Sequence, residues 1–221
     1  MVMSKNTQEI KSINISRKTK ETDIKLSLNI NGNQNINIDT GIGFLDHMIE
    51  QLASHARWDL TIKVNGDLQI DDHHSVEDIA ICLGDAFQQS WRSLDSMQRY
   101  GQRLLPMDEA LILCAVDLSG RGIYVGELEF TREMLGGVST EMFEHFFNTF
   151  ATSSAMTLHI TPQYFRNNHH LAEGCFKALA YALKEALTPL DGMNGNAGNY
   201  KKTASDKLEE GGDDFKSSWP L

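Results

Sequence analysis

The feature that most constrains the fold is a five-residue phrase, His-His-x-x-Glu, which occurs at residues 73–77 and again at 169–173. With 8 His and 30 acidic residues in a chain of 221, chance predicts only ~0.04 occurrences of this phrase. Each copy stands at the start of a segment with helical spacing of apolar residues. Two copies roughly one hundred residues apart indicate that the chain contains an internal duplication.

The order of predicted elements repeats as well. Alternating apolar and polar residues predict strands, and apolar residues at helical spacing predict helices. In the first half these elements are strands 13–19, 23–30 and 34–39, helix 42–56, strand 59–64 and helix 75–91. In the second half they are strands 110–118 and 122–130, helix 140–151, strand 156–161 and helix 171–187.

The fold class predicted from this order is α+β: a two-layer α/β sandwich that duplicates a β-β-β-α-β-α unit, of the ribosomal-protein-like type. The helices of each half are expected to cover one face of its sheet, so that the two halves pack together. The predicted boundaries are 10–93 for the first half and 94–190 for the second. Residues 191–221 are predicted to be a Gly/Asn-rich loop with a polar tail.

Composition excludes several classes of protein. A net charge of −10 argues against binding to nucleic acid, which depends on Lys and Arg neutralising phosphates. No apolar run approaches the ~18 residues of a membrane span, and the polar N-terminus does not resemble a secretory signal. Cys82, Cys114 and Cys175 lie within apolar runs without a CxxC pattern, which favours buried reduced thiols and a cytoplasmic location.

The repeated phrase supplies the ligands that Mn, Fe and Zn prefer. On a helix His73 and Glu77 share a face, whereas the adjacent His73 and His74 point about 100° apart. Two adjacent imidazoles therefore reach two different ions more easily than a single ion. The same argument applies to the copy at 169–173.

Two further histidines occupy matching positions in the halves. His47 precedes Thr61 by 14 residues, and His145 precedes His159 by 14 residues. Together with the repeated phrases they give six imidazoles and two carboxylates, enough for two ions with three His and one Glu each. An octahedral ion so bound keeps positions open for substrate and water. His55, just over two turns after His47, is a further candidate acid, base or substrate contact.

Acidic residues near these histidines are expected to accept the second imidazole N–H and so to fix the orientation of the ring. For the two acids at the start of the helix, an equally good interpretation is that the helix dipole favours them. The candidates are Asp46, Asp71, Asp72 and Asp78.

Six segments resemble, in the same order, the imidazoleglycerol-phosphate dehydratases of histidine biosynthesis. They are RKTKETDIKLSLNING at 17–32, TGIGFLDHM at 40–48, DDHHSVEDIAICLG at 71–84, PMDEA at 106–110, DLSGRG at 117–122 and NNHHLAEGCFKAL at 167–179.

The resemblance implies a carbon–oxygen lyase that removes water from D-erythro-imidazole-glycerol phosphate and gives imidazole-acetol phosphate. It implies a dinuclear Mn²⁺ site that stabilises an imidazolate intermediate, and a homo-oligomer of 24 subunits that share ligands between chains. The implied metal ligands are His47, His73, His74, Glu77, His145, His169, His170 and Glu173.

The resemblance also implies roles for other residues. Glu21 resembles the essential acid or base of the family, Asp108 and Glu109 are weaker candidates, and Glu173 is placed at the catalytic centre. The implied contacts to substrate and phosphate are Gln51, Arg99, Arg121, Lys177, Asn199 and Lys201.

The C-terminus departs from the family, because Asn199-Tyr200-Lys201-Lys202 stands where Ser-Thr-Lys-Gly is usual. We therefore expect activity with weaker substrate binding.

Two other functions compete with this interpretation. A two-metal phosphatase would use an activated water, but such sites are usually rich in carboxylates rather than imidazoles. A His-rich assembly protein would use the ions only to join subunits. In that case Glu21, Arg99 and Arg121 would have no role.

Overall fold

The computed structural model describes residues 12–190 of the chain. The first half contains β1 (Ile13–Lys18), β2 (Thr22–Asn29), β3 (Ile36–Asp39), α1 (Gly43–Ala56), β4 (Asp59–Gly66) and α2 (His73–Arg92). The second half contains β5 (Tyr100–Met107), β6 (Ala110–Asp117), β7 (Ile123–Gly126), β8 (Met134–Leu135), β9 (Val138–Ser139), α3 (Glu141–Ser153), β10 (Thr157–Tyr164) and α4 (Asn168–Ala186).

The two four-stranded sheets have the same topology. Their orders are β1-β2-β4-β3 and β5-β6-β10-β7, and in each the last pair is parallel while the others are antiparallel. The registers agree too, since Leu28 on β2 pairs with Leu60, and Val116 on β6 pairs with Leu158. β2 and β6 also share one alternation of buried and half-buried or exposed residues. The predicted duplication of an α+β unit is therefore confirmed.

The four helices lie between the two sheets. Helices α1 and α2 cover the first sheet, α3 and α4 cover the second, and the halves meet where α1 packs on α4 and α2 on α3. Apolar side chains along these helices fill the core, including a group of phenylalanines on α3 and α4. The boundary between the halves at residues 93 and 94 stays a prediction.

The second half differs from the prediction in three places. β5 was not predicted as a strand because its apolar alternation is weak. Only two of its eight residues, Gly101 and Leu105, are buried. The strand expected at 122–130 ends at Gly126. Beyond it, the short strands β8 and β9 form a hairpin. Its two-residue turn is Gly136-Gly137, and the positive φ angles of both residues favour glycine.

Two smaller predictions concern composition. The three cysteines are free and buried, and burial raises the pKa of the Cys82 thiol to about 12, which makes it unreactive. Within residues 12–190 no helix combines the length and the apolarity needed to cross a membrane. The predicted loop and tail at 191–221 lie outside the described residues.

Candidate metal centres

Six of the eight predicted ligands lie in two groups, each with two histidines and one glutamate. We call His47, His169 and Glu173 cluster A. We call His73, Glu77 and His145 cluster B. Within each cluster one ligand atom from every residue lies within 4.8 Å of the others, which is close enough to bind a single ion.

Cluster A forms where α1 packs on α4. Glu173 Oε2 lies 2.9 Å from His169 Nε2 and 3.4 Å from His47 Nε2. The other carboxylate oxygen, Oε1, accepts a hydrogen bond from Lys177 Nζ at 2.6 Å. Burial would raise the pKa of Glu173, but Lys177, His169 and His47 outweigh burial and hold that pKa below its ordinary value. The carboxyl group is therefore ionised, as a metal ligand must be.

Cluster B forms where α2 packs on α3. His145 Nε2 lies 3.2 Å from Glu77 Oε1, and His73 Nε2 lies 3.9 Å from Glu77 Oε2. The two imidazole rings are tilted against each other with their centroids 4.8 Å apart. In both clusters the nitrogen that faces the carboxylate is Nε2. The donors therefore converge as the ligands of a borderline divalent metal would.

Each cluster combines both halves of the chain. Cluster A joins His47 from the first half to two ligands from the second, and cluster B joins His145 from the second half to two ligands from the first. Sequence reasoning expected three histidines for each ion, whereas one chain brings two histidines to each cluster. The remaining two, His74 and His170, lie outside both clusters.

His74 and His170 are each held by a carboxylate from outside their own helix. Asp67, just after β4, lies 3.0 Å from His74 Nδ1, and Glu109, between β5 and β6, lies 2.9 Å from His170 Nδ1. Asp67 raises the pKa of His74 through this hydrogen bond. The pKa of Glu109 is lowered, first by its own backbone amide and then by His170. In both cases Nδ1 is the nitrogen engaged, so Nε2 is the one that can face a metal.

The acids predicted to orient the imidazoles have other partners, so that prediction was wrong. Asp46 accepts hydrogen bonds from Thr40, Asp72 from Ser139, and Asp78 from Arg17 and Thr22. Asp71 accepts a hydrogen bond from the backbone amide of His73. This agrees with the alternative interpretation of Asp71, as an acid favoured at the start of a helix. Sequence reasoning missed Asp67 altogether, because its contact with His74 depends on how the loop after β4 folds back.

Glu21 lies on the turn between β1 and β2, near His74 and Asp67. The turn is fixed because Thr19 Oγ1 accepts the backbone amides of Glu21 and Thr22. Thr22 Oγ1 in turn donates to the buried carboxylate of Asp78 on α2. Glu21 and Asp67 line one shallow cleft, and Glu21 contributes a favourable charge interaction to the imidazolium form of His74.

Comparison with known proteins identifies the family. A family model described as imidazoleglycerol-phosphate dehydratase matches residues 40–183. The imidazoleglycerol-phosphate dehydratase of Lachnoclostridium phytofermentans is 51% identical over 176 residues, which are 80% of this chain and 90% of that protein. This chain belongs to the imidazoleglycerol-phosphate dehydratase family. Members of this family are hydro-lyases of histidine biosynthesis, so the chain is classed as an enzyme of that kind.

Other relatives agree with this assignment. The imidazoleglycerol-phosphate dehydratase of a Jannaschia species is 47% identical over 80% of this chain and 91% of its own length. The crystal structure of the Staphylococcus aureus enzyme has a TM-score of 0.75 and 32% identity, covering 81% of this chain and all of that chain. A structure from Pyrococcus furiosus in complex with (S)-C348 has a TM-score of 0.70 and 30% identity, covering 82% and 97%.

The residues implied as phosphate contacts in the imidazoleglycerol-phosphate dehydratase family fall in two places. Arg99 makes a two-pronged contact to Asp117, at 2.7 and 3.1 Å, and Arg121 lies 3.8 Å from the same carboxylate. The backbone amide of Arg99 donates to Ala186 at the end of α4, about 20 Å along the helix from Glu173. In one chain this arginine pair is therefore remote from cluster A.

The other implied residues differ in their proximity to the clusters. Gln51 Nε2 lies 3.4 Å from His47 Nδ1, so Gln51 and Lys177 both contact cluster A. His55 Nδ1 donates to the Gln51 carbonyl, and its ring packs against Tyr181, so it is part of neither cluster. The remaining implied residues are Asp108, which is exposed with its carboxylate 3.9 Å from His170 Nε2, and Asn199 and Lys201, which lie outside the described residues.

Proposed function

We propose that this chain dehydrates D-erythro-imidazole-glycerol phosphate to imidazole-acetol phosphate, using two Mn²⁺ ions for each active site. The observation that carries the proposal is the pair of clusters A and B, each with two Nε2 atoms and one carboxylate that converge on a single point. Membership of the family indicates the substrate. Metal ions bound at the two clusters would explain how a weakly acidic proton of that substrate can be removed.

The donor sets fit a divalent first-row metal, and the family implies that this metal is Mn²⁺. Two imidazoles and a carboxylate suit a borderline divalent ion, and the contacts of Gln51, Asp67 and Glu109 with His47, His74 and His170 resemble the supporting hydrogen bonds of metal sites. When bound, such ions would act as Lewis acids towards the substrate and would contribute several kcal/mol.

The ligand sets also support a shared site. Each cluster has three ligands, while His74 and His170 are fixed at Nδ1 and lie outside both clusters. We infer that these two histidines complete the ligand sets of clusters in neighbouring copies, so that an active site forms only in a homo-oligomer. A 24-subunit assembly, as the family implies, would satisfy this requirement.

The arginines are consistent with the same arrangement. Because Arg99 and Arg121 are remote from cluster A in their own chain, they would bind the phosphate of a substrate held at cluster A of another copy. Asp117 fixes the guanidinium plane of Arg99, and a fixed guanidinium is well suited to phosphate. Lys177 would act within its own chain, beside Glu173.

Glu21 is the proposed acid or base. Its turn is held by Thr19 and lies beside His74, so in the oligomer it would lie beside a metal completed by that histidine. Its task would be to move a proton to or from the carbon or the leaving hydroxyl of the substrate. A positioned side chain of this kind contributes about 10²–10⁴-fold to the rate.

The deciding experiment is a product assay with imidazoleglycerol phosphate and the Mn²⁺-reconstituted oligomer. The expected product has lost water and keeps its phosphate. Release of inorganic phosphate would instead indicate the two-metal phosphatase. Metal-dependent assembly with no conversion of this substrate would indicate the His-rich assembly protein.

Acidification should release the metal. Imidazoles bind metals only when neutral, so protons displace the ions as the pH falls through about 6.5. The raised pKa of His74 means that protons compete at this residue from a higher pH than at an ordinary histidine. Bound Mn²⁺ and particle size, followed together, should fall over the same range if the ions join the subunits. A particle of unchanged size at about pH 5 in a chelator would contradict the claim that metal holds the assembly together.

A further inference from the structure

His74 and His170 are each held by a carboxylate, but the two carboxylates come from different places in the two halves. Asp67 follows β4, whereas Glu109 lies between β5 and β6, yet each contacts the Nδ1 atom of the second histidine of a repeated phrase. The two carboxylates therefore make equivalent contacts from positions that are not equivalent in the fold.

The strand registers show which residues correspond between the halves. Leu28 pairs with Leu60 and Val116 with Leu158, so β2 and β6 correspond from their first residues, Thr22 and Ala110. The residue immediately before each strand is then Glu21 in the first half and Glu109 in the second. These two glutamates occupy the same position of the duplicated unit.

Asp67 has a different counterpart. In the first half Asp23 pairs with Asn65, two residues before Asp67; in the second half Leu111 pairs with Tyr164. Two residues after Tyr164 is Arg166, and the residue between them is Phe165. The position that supplies an acid in the first half therefore supplies none in the second, where Glu109 contacts the histidine instead.

We propose that Asp67 and Glu109 are positioning residues that hold His74 and His170 in one tautomer, with the proton on Nδ1 and the Nε2 lone pair directed to the metal. Asp67 does this in the first half and so leaves Glu21 available for proton transfer. Glu109 does it in the second half, at the position equivalent to Glu21. The inference rests on the proposed function only in taking His74 and His170 as metal ligands.

The contacts of Glu109 agree with a positioning role. Its Oε1 accepts the backbone amide of Asn167 at 2.9 Å, and the side chain of Asn167 accepts the amide of His169. Glu109 thus fixes both the ring of His170 and the start of the helix that carries it. A carboxylate with these two partners is engaged in structure, whereas a proton-transfer group has to face the substrate.

The test measures Mn²⁺ affinity of the assembled protein by competition with a chelator, without reference to activity. Asp67→Ala and Glu109→Ala should each weaken binding about 10–100-fold, as loss of a supporting partner does in metal sites. Asp67→Asn and Glu109→Gln keep an oxygen that accepts the Nδ1 proton, so they should stay within a few-fold of the parent protein. Asp95→Ala removes one exposed carboxylate and is the matched control.

Two further variants separate this inference from the proposed function. If His74→Ala and His170→Ala leave Mn²⁺ affinity unchanged, the proposed ligand set is wrong. If those variants weaken binding while Asp67→Ala and Glu109→Ala do not, the positioning inference alone is wrong. Glu109→Ala could fail to fold because Asn167 also loses its partner. In that case Asp67→Ala decides whether the positioning inference holds, since the Asp67 side chain contacts only the His74 ring.

A final comparison uses turnover to distinguish the equivalent glutamates. Glu109→Gln should keep kcat within a few-fold of the parent protein, while Glu21→Gln should lose activity and retain full Mn²⁺ affinity. An equal fall in kcat for both variants would show that Glu109 transfers protons, which would overturn the proposal.

Discussion

Replacing Glu21 by Gln is expected to lower kcat by about 10²–10⁴-fold, while KM, bound Mn²⁺ and the size of the assembly stay unchanged. The substitution keeps the shape of the side chain and removes its ability to exchange a proton. The turn should be unaffected, because the hydrogen bond to Thr19 Oγ1 is donated by the backbone amide of Glu21 and does not involve the Glu21 side chain. Steady-state kinetics with imidazoleglycerol phosphate, beside metal analysis and light scattering, provide the measurement.

Lys20→Gln is a suitable control, because it neutralises an exposed neighbour on the same turn. Its kcat should stay close to that of the parent protein. If Glu21→Gln lost both activity and assembly, the residue would have a structural role. If it lost neither, the proton transfer would have to be assigned to another group.

Replacing Glu173 by Ala should remove one of the two metal ions of each subunit and lower activity by about 10³-fold or more. A metal acting as a Lewis acid contributes several kcal/mol, and each 1.36 kcal/mol corresponds to about tenfold in rate. The loss has two causes. The ion loses its carboxylate, and Lys177, now without its partner at 2.6 Å, places an uncompensated positive charge beside His47 and His169.

The double variant Glu173→Ala with Lys177→Ala separates these causes, since partial recovery of Mn²⁺ binding would measure the repulsion by Lys177. Glu185→Ala, which removes a carboxylate from the far end of the same helix, is the matched control and should retain both ions. Full metal content in Glu173→Ala would show that cluster A does not bind an ion.

The sequence predicted the order of the elements apart from β5 and the β8–β9 hairpin, and it singled out the six residues that form clusters A and B. Strand and helix periods are local signals, and the repeated phrase with His47 and His145 required only counting. The division of the ligands into clusters was not accessible in the same way. It depends on α1 packing against α4 and α2 against α3, contacts that no local pattern records.

The features that were missed have physical reasons. At Gly101 of β5, α4 comes so close that a side chain would meet the Ala182 carbonyl, and Arg103 on the same face is charged and exposed, so β5 lacks the apolar alternation that predicts a strand. Asp67 and Glu109 reach their histidines only after the chain folds back over 7 and 61 residues. The acids nearest in sequence were the wrong choice because they already tie α1, α2 and the β8–β9 hairpin in place.

The exchange of ligands between halves has a consequence for the origin of the chain. Clusters A and B are built alike, since each takes one histidine from the first helix of one half and a His–Glu pair from the second helix of the other half. A polypeptide of half this length could therefore build both clusters as a symmetric homodimer. Fusion of two copies is what permits the clusters to differ, as they do where Lys177 on α4 corresponds to Ile81 on α2.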